Sequence, residues 1–361
     1  MFTHNTHQYY QQIMHVFSFM VALRPLLMNL LILILLTAAQ ACQESPVDAG
    51  ISPAASKTSD FLFFNQKDDM AALGYMQTDG SHREMLTAYR TGMKKITVSP
   101  RFDVAYQVEE NGEDSIFLVE SDGRNNRFLV DGREPSWSPD GKELLCIRQN
   151  EIVSVTIETG AETTLRKVME GRPHILSYSP NGDWIGFVVR KEDEDELWVM
   201  NSDGSHLRKI GGIDPIAGRE FPWAFNGYGI YAVKYGDVFI YSPIIPAEGQ
   251  GHRSQRPVIL GTTVSRMRNP LPSPDGRILL LEAGNVETPD IYLFDLQKQD
   301  VRKVHTASGP ISRPQFTRDG RHVIFSEDGP NSITTVIATE DLAVHHPMRS
   351  YQDRDPVWIQ Q

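Results

Sequence analysis

A chain of 361 residues, 40% hydrophobic and 22% charged, is long enough to bury a sizeable core in one large or two ordinary domains. Its formal net charge of -11 sets up a field that repels nucleic acid and anionic lipid surfaces, which argues against nucleic-acid binding. Its 2 cysteines, Cys42 and Cys146, are too few for a disulfide framework or a zinc cluster.

The first element is an apolar run, Leu26 to Ala39 (LLMNLLILILLTAA), too short for a comfortable transmembrane helix, preceded by Arg24 and followed by small residues. It reads as an export signal over residues 1–41, with Met20 as the expected true start. The stretch before Met20, rich in His, Gln and Tyr, is unlike a signal's leading region. Cleavage after Ala39-Gln40-Ala41 leaves Cys42 first, and this cysteine resembles the lipidated residue of bacterial lipoproteins; Ala-x-Ala equally suits ordinary signal cleavage. Residues 43–59, rich in Pro, Ala and Ser, form a tether reaching on the order of 20 to 25 Å as a flexible coil. With Cys42 the tether occupies 42–59, and the folded domain is expected over 60–361.

From there the chain repeats itself. "EPSWSPDGKELLCI" from Glu134 returns as "ILSYSPNGDWIGFV" from Ile175, "EFPWAFNGYGIYAV" from Glu220, "NPLPSPDGRILLLE" from Asn269 and "RPQFTRDGRHVIFS" from Arg313, with a weaker copy from Lys95. Successive starts lie 39 to 49 residues apart, the spacing of propeller blades. Each unit reads as four short strands. An aromatic first strand meets a tight turn at Asp140-Gly141, Asn181-Gly182, Asn226-Gly227, Asp275-Gly276 or Asp319-Gly320; an apolar second strand follows, then a third such as "DIYLFD" (290 to 295), then a fourth.

Proline positions agree with this layout. Pro135, Pro270, Pro314 and Pro356 share one position of the first strand, and Pro139, Pro180 and Pro274 share another. Proline lacks the N–H that an interior ladder needs, so the first strand should be a sheet edge facing a central channel. The terminal "DPVWIQQ" begins a seventh first strand, and "FLFFNQ" (61 to 66) supplies its continuation. The expectation is therefore an all-β, seven-bladed β-propeller of four-stranded antiparallel blades, closed by pairing of the C-terminal strand with the N-terminal blade.

The units "WSPDGKELL", "YSPNGDWIGF" and "LWVMNSDGSHLRKI" resemble the PD-type, WD-repeat-like units of the TolB-like β-propeller family, over about residues 60 to 361. The resemblance implies an exported propeller of the cell envelope. A short tether stands where TolB carries an α/β domain, which separates the expected role from that of TolB itself. Related seven-bladed propellers include metal-dependent pectic lyases, which the resemblance says gather histidines at the channel; here His174 alone occupies such a position. No G-x-S-x-G motif supports a serine hydrolase.

Aligning the repeats two residues before the shared proline gives Lys94, Arg133, His174, Arg219, Arg268, Ser312 and Arg354, a set without a carboxylate; Arg313 stands one residue further on. In an acidic protein such a ring would focus positive potential at the channel mouth and suit carboxylate or phosphate. The same arginines could instead pair with Glu134, Glu220, Asp355 or neighbouring acids and only tie blades together. Trp137, Tyr178, Trp223, Phe316 and Trp358 read as packing between blades, and Cys146 as an inert buried thiol. His82, His206, His305, His322, His345 and His346 and the run Lys191 to Glu196 (KEDEDE) read as solvated, and residues 242–257 as a tolerated loop insertion.

The composite expectation is a non-catalytic binding or scaffolding propeller, lipid-anchored at Cys42, periplasmic or on the outer membrane, and monomeric. Its partner is an envelope protein or anionic polymer, met at Lys94, Arg133, His174, Arg219, Arg268, Arg313 and Arg354. No cofactor and no metal are expected, and the membrane is touched only through the anchor. The alternative is a carbohydrate-active lyase or hydrolase on the same scaffold.

Overall fold

The computed structural model describes residues 61–76, 83–192, 194–214, 221–243, 255–258, 264–317, 319–328, 333–340, 344–349 and 353–358. Among them every regular element is a β-strand, and no helix is long and apolar enough to cross a membrane. The signal, Cys42 and the tether lie outside the described residues, as does most of the insertion at 242–257.

The described strands fall into seven sheets, all antiparallel and nearly all built from consecutive strands. The first contains β1 (Phe61–Lys67), β2 (Met70–Met76) and two short pieces, β3 (Glu84–Met85) and β4 (Arg90–Thr91). The second contains β5 (Met93–Val98), β6 (Val104–Glu110), β7 (Glu113–Val119) and β8 (Arg127–Asp131). β9 (Arg133–Trp137), β10 (Glu143–Arg148), β11 (Glu151–Thr156) and β12 (Glu162–Lys167) make the third. β13 (Arg172–Tyr178), β14 (Trp184–Arg190), β15 (Asp195–Asn201) and β16 (Arg208–Ile213) make the fourth. The fifth holds β17 (Ile230–Lys234), β18 (Asp237–Tyr241) and β19 (Gln255–Pro257). The sixth runs through β20 (Arg268–Pro272), β21 (Ile278–Ala283), β22 (Asp290–Asp295) and β23 (Asp300–Thr306). The seventh runs through β24 (Ile311–Phe316), β25 (His322–Glu327), β26 (Ile333–Ala338) and β27 (Val344–Arg349). Finally β28 (Asp353–Trp358) returns to the first sheet and pairs with β1, Phe61 opposite Trp358 and Leu62 opposite Val357.

The recurrent Ser-Pro-Asp-Gly and its variants build the turn after the first strand in the third, fourth, sixth and seventh sheets. Ser138 donates its hydroxyl to Asp140 at 2.7 Å and accepts the N–H of Glu143 at 3.0 Å, while Asp140 accepts the N–H of Lys142 at 3.0 Å. Ser179 with Asn181, Ser273 with Asp275 and Thr317 with Asp319 repeat the clasp. These bonds absorb backbone donors that the ladder leaves over, and glycine supplies the left-handed residue, Gly141 at φ +68°. The turns also touch one another. A side chain on Gly141 would meet Arg101 and Pro100 of the second sheet, one on Gly182 would meet Pro139 of the third, and one on Gly276 would meet Phe225 of the fifth. Consecutive sheets thus stand side by side.

The core lies between sheets. Leu62, Leu73 and Tyr75 of the first pack on Ile96 and Tyr106 of the second. Leu145 and Ile152 of the third pack on Tyr178 and Phe187 of the fourth. The last interface joins Ile324 and Val336 of the seventh sheet to Phe63 and Met76 of the first. Each fully buried Phe or Leu in these layers contributes about 1.5 to 3 kcal/mol relative to exposure. The arrangement is a β-propeller.

Two units depart from the expected four strands. In the fifth, Pro222 has no N–H to give and Trp223 donates its own to Phe221, two residues back, at 2.9 Å; the curl leaves one isolated bridge, Trp223 opposite Ile230, where a first strand would stand. In the first, Thr87 accepts the N–H of Leu73 through its hydroxyl at 2.9 Å, which interrupts the outer strand between β3 and β4.

Candidate functional site

The first strands converge on a central channel. At their C-terminal ends they enclose a cavity of about 470 Å3 whose lining includes Thr97, Ser136, Ser177, Pro222, Pro272 and Gln315, one residue from each of six sheets. None of these six is charged. Trp137, Tyr178, Trp223 and Phe316 flank the cavity but are only 5 to 8% exposed, wedged between sheets as expected. Trp137 also donates its indole N–H to Thr97 O at 3.3 Å. Trp358 faces Phe61 in the ladder; its side chain lies outside the described residues.

Because the first strands run side by side in one direction, their N-terminal ends gather at the opposite mouth, where Lys94, Arg133, His174, Arg268 and Ser312 stand. Arg313 follows on β24, and Arg354 on β28 lies opposite Phe64; their side chains lie outside the described residues, as does the whole of Arg219.

The guanidinium of Arg133 is half-buried and donates to Pro173 O in the next sheet at 2.9 Å and to Gln149 O at 3.4 Å. Burial, with Arg172 nearby, pulls its pKa below the ordinary value. Arg268 bridges its own sheet, with Nε 3.2 Å from Glu282 Oε2, Nη1 3.1 Å from Gly284 O and Nη2 2.9 Å from Asn285 O. The carbonyls that hold Arg133 fix its guanidinium without neutralising it, whereas Arg268 is also paired with a carboxylate. Lys94 is exposed and pairs with Glu109. His174 meets Arg190 at 3.0 Å and Asp195 at 3.8 Å; burial, then the Arg190 charge, lowers its pKa and favours the neutral ring. Two buried atoms of this ring, His174 Nδ1 and Ser312 Oγ, have no hydrogen-bond partner among the described residues.

A bulge follows the ring position. Pairing shifts between His174 and Ser177, between Arg268 and Leu271, and between Ser312 and Gln315, and the next residue turns left-handed at Glu134 (φ +59°), Ile175 (φ +49°) and Asn269 (φ +50°). Simple alternation of side chains therefore does not hold here. Glu134 is re-aimed toward Lys95, 2.8 Å away in the preceding sheet, while its N–H donates to Gln107. Burial raises its pKa, but Lys95 outweighs that and the net shift is downward.

Beneath the mouth lie buried acids. Glu282 is 4% exposed, and burial raises its pKa against the pull of Asn269 and Arg268. Glu327 is 2% exposed and accepts His305 Nε2 at 2.8 Å, Ser308 N at 2.7 Å and Thr335 Oγ1 at 2.5 Å. Burial pushes its pKa up, yet these bonds prevail and hold it at about 2. His305 is thus a buried acid's partner rather than a solvated histidine. The run Lys191 to Glu196 is likewise not all solvated: Asp195 is 1% exposed beside His174, and Glu196 pairs with Lys209 at 2.7 Å. The acidic ends of "LLLEA" and "VIFSE" at Glu282 and Glu327 were the sequence signal for these groups. Among the described residues, no three or more His, Cys, Asp and Glu side chains gather as metal ligands would.

No family model matches the chain. An uncharacterised protein of Agrobacterium fabrum is 36% identical over 140 residues, 36% of this chain and 46% of that protein. The Tol-Pal system protein TolB of Anaeromyxobacter dehalogenans is 32% identical over 97 residues, 25% of this chain and 22% of that protein. The chain thus spans less than half the length of these curated relatives. Among solved structures, TolB from Acinetobacter baumannii superposes with a TM-score of 0.53 at 14% identity over 82% of both chains. An oligogalacturonate lyase in complex with manganese gives 0.59 at 17% identity over 79% of this chain and 87% of that one. At these identities the superpositions speak to fold alone. By its repeats and its fold, the chain is a β-propeller that is similar over part of its length to TolB.

Proposed function

We propose that the chain is a seven-bladed, non-catalytic binding propeller of the cell envelope, exported and held to the membrane through a lipid on Cys42. Its ligand is an anionic segment of an envelope protein or polymer, received at the mouth formed by Lys94, Arg133, His174, Arg219, Arg268, Arg313 and Arg354. The observation that carries this reading is the fixing of the Arg133 guanidinium by Pro173 O and Gln149 O at one end of the channel, beside Arg268, which Gly284 O and Asn285 O hold and Glu282 pairs. The residues lining the cavity at the other end are uncharged, so the charged groups of the channel lie at the Arg133 end. The named TolB relative supports an envelope setting.

The test replaces Arg133, Arg219, Arg268 and Arg354 together by Gln and measures poly-glutamate binding at low and high salt. Binding by the native protein that weakens with salt and is lost in the variant supports the reading; equal binding by a cooperatively folded variant overturns it.

A further inference from the structure

A recess of about 920 Å3 opens on the same face as the cationic mouth, where the turns of the fifth sheet meet those of the sixth. Asp214, Tyr235, Arg266, Arg268 and Asn285 are among the residues that line it. Its aromatic wall, its balanced charge and its free hydrogen-bonding groups suit one kind of ligand.

Tyr235 opens the β17–β18 turn at φ +56°. The corresponding turns of the first, second and third sheets hold Asp68, Asn111 and Gln149, at φ +56°, +55° and +54°. Asn and Asp are the usual left-handed residues, a bulky aromatic is an outlier, and such outliers cluster at ligand sites. The Asp214 carboxylate fixes the turn by accepting the N–H of Tyr235 on Oδ1 and that of Gly236 on Oδ2, both at 3.0 Å. Lys234 Nζ stands 5.4 Å from the centre of the phenol ring, yet Tyr235 is 86% exposed. The turn therefore holds an aromatic plate in solvent with most of its surface uncovered.

The charges of the wall cancel. Arg268 pairs with Glu282 at 3.2 Å and Lys234 with Glu194 at 3.9 Å. Arg266 and Asp214 remain one against one, because backbone N–H groups orient the Asp214 carboxylate without neutralising it. The exposed Asp237 and Glu287 follow lining residues in sequence but are not part of the wall. An anion gains no net attraction here.

Free groups of both kinds face the recess. Arg266 is exposed, itself left-handed at φ +56°, and makes no hydrogen bond or ion pair among the described residues. Asn285 accepts the N–H of Glu287 on Oδ1 at 3.0 Å, and its amide N–H groups have no partner among the described residues. Each Asp214 oxygen keeps a further lone pair. Sugar hydroxyls donate and accept at once, and the C–H face of a pyranose covers an aromatic ring. Met267, 3% exposed, is already packed away, so the wall offers no apolar pocket for the anchoring side chain of a peptide.

We propose that this recess binds a neutral oligosaccharide of equatorially linked pyranose rings, one ring stacked on Tyr235 and its hydroxyls shared among Arg266, Asn285 and Asp214. Site and ligand are both separate from the anionic ligand of the channel mouth, so either reading can fail alone.

The experiment is isothermal titration of the folded protein with cellotetraose and with its N-acetylglucosamine counterpart. The native protein should bind at least one of them at millimolar concentration, with an affinity that is the same at low and high salt. Tyr235→Asn suits the left-handed turn and should unfold at the same or a higher temperature, so lost binding is not lost fold. It should bind roughly tenfold more weakly, the scale of one aromatic contact, whereas Tyr235→Phe should stay within about twofold of the native protein. Arg266→Gln should weaken binding roughly fivefold. The proposal falls if neither sugar binds, if Tyr235→Asn binds as the native protein does, or if affinity drops as salt rises. Tighter binding of tetragalacturonate, or of a peptide of alternating glutamine and leucine, also overturns it. Loss on joint Arg133→Gln and Arg354→Gln, with binding retained in Tyr235→Asn, places the sugar at the channel mouth and overturns the recess.

Discussion

Nη2 of Arg133 donates to the carbonyl of Pro173 across 2.9 Å, so a residue that starts the third sheet is tied to the strand that starts the fourth. Truncating it by Arg133→Met removes that tie and leaves the carbonyls of Pro173 and Gln149 without this donor. The expected loss is about 1 to 2 kcal/mol of unfolding free energy, read by urea denaturation with an unchanged slope.

Glu327 links stability to acid. Its folded pKa of about 2 lies below the ordinary 4.5, so its contribution is fully present above the unfolded value and is lost as pH falls through the folded one. On the order of 3 kcal/mol should disappear between about pH 5 and pH 2. Glu327→Gln should be less stable near neutrality and flatter across that window. Parallel pH profiles of the two proteins would remove the assignment.

The pairing of β28 with β1 predicts that deleting Pro356 to Gln361 exposes the edge of β1 and weakens the interface of Phe63 and Met76 with Ile324 and Val336. Thermal unfolding should move down by many degrees or lose its cooperativity. An unchanged transition would mean that the ring does not depend on this strand.

Cys146 is fully buried in β10, and burial pushes its thiol up to about 12. With Cys42→Ser in the background, the native protein should resist an aromatic disulfide reagent at pH 8 and react fully in denaturant. Prompt labelling in the native state would contradict the packing of this sheet.

Much of this fold was legible because it rests on local chemistry. Pro135, Pro270 and Pro356 mark an edge because they lack an N–H, and Asp140-Gly141 and its counterparts mark turns because glycine tolerates positive φ. The bulge at Glu134, Ile175 and Asn269 was not legible, since nothing in an isoleucine announces a φ of +49° that its surroundings impose. The partner of Arg133 was hidden for a related reason: it is a backbone carbonyl 40 residues away, and carbonyls carry no sequence signature. His305 reads as a surface residue because the carboxylate it meets, Glu327, stands 22 positions further along the chain. The curl at Phe221, Pro222 and Trp223 escaped because the repeat alignment reports position and not conformation.

The clasped turns have a mechanical consequence. Gly141 faces Arg101 and Pro100, Gly182 faces Pro139 and Gly276 faces Phe225, so at these turns the missing side chain of glycine leaves room for a side chain of the preceding sheet. At the opposite mouth Arg133 and Arg268 are held by carbonyls, and Lys94 is exposed and paired with Glu109. A bulky residue at Gly276 would have to displace Phe225, so the spacing of neighbouring sheets at the clasped turns is set by a glycine as much as by the strands it joins.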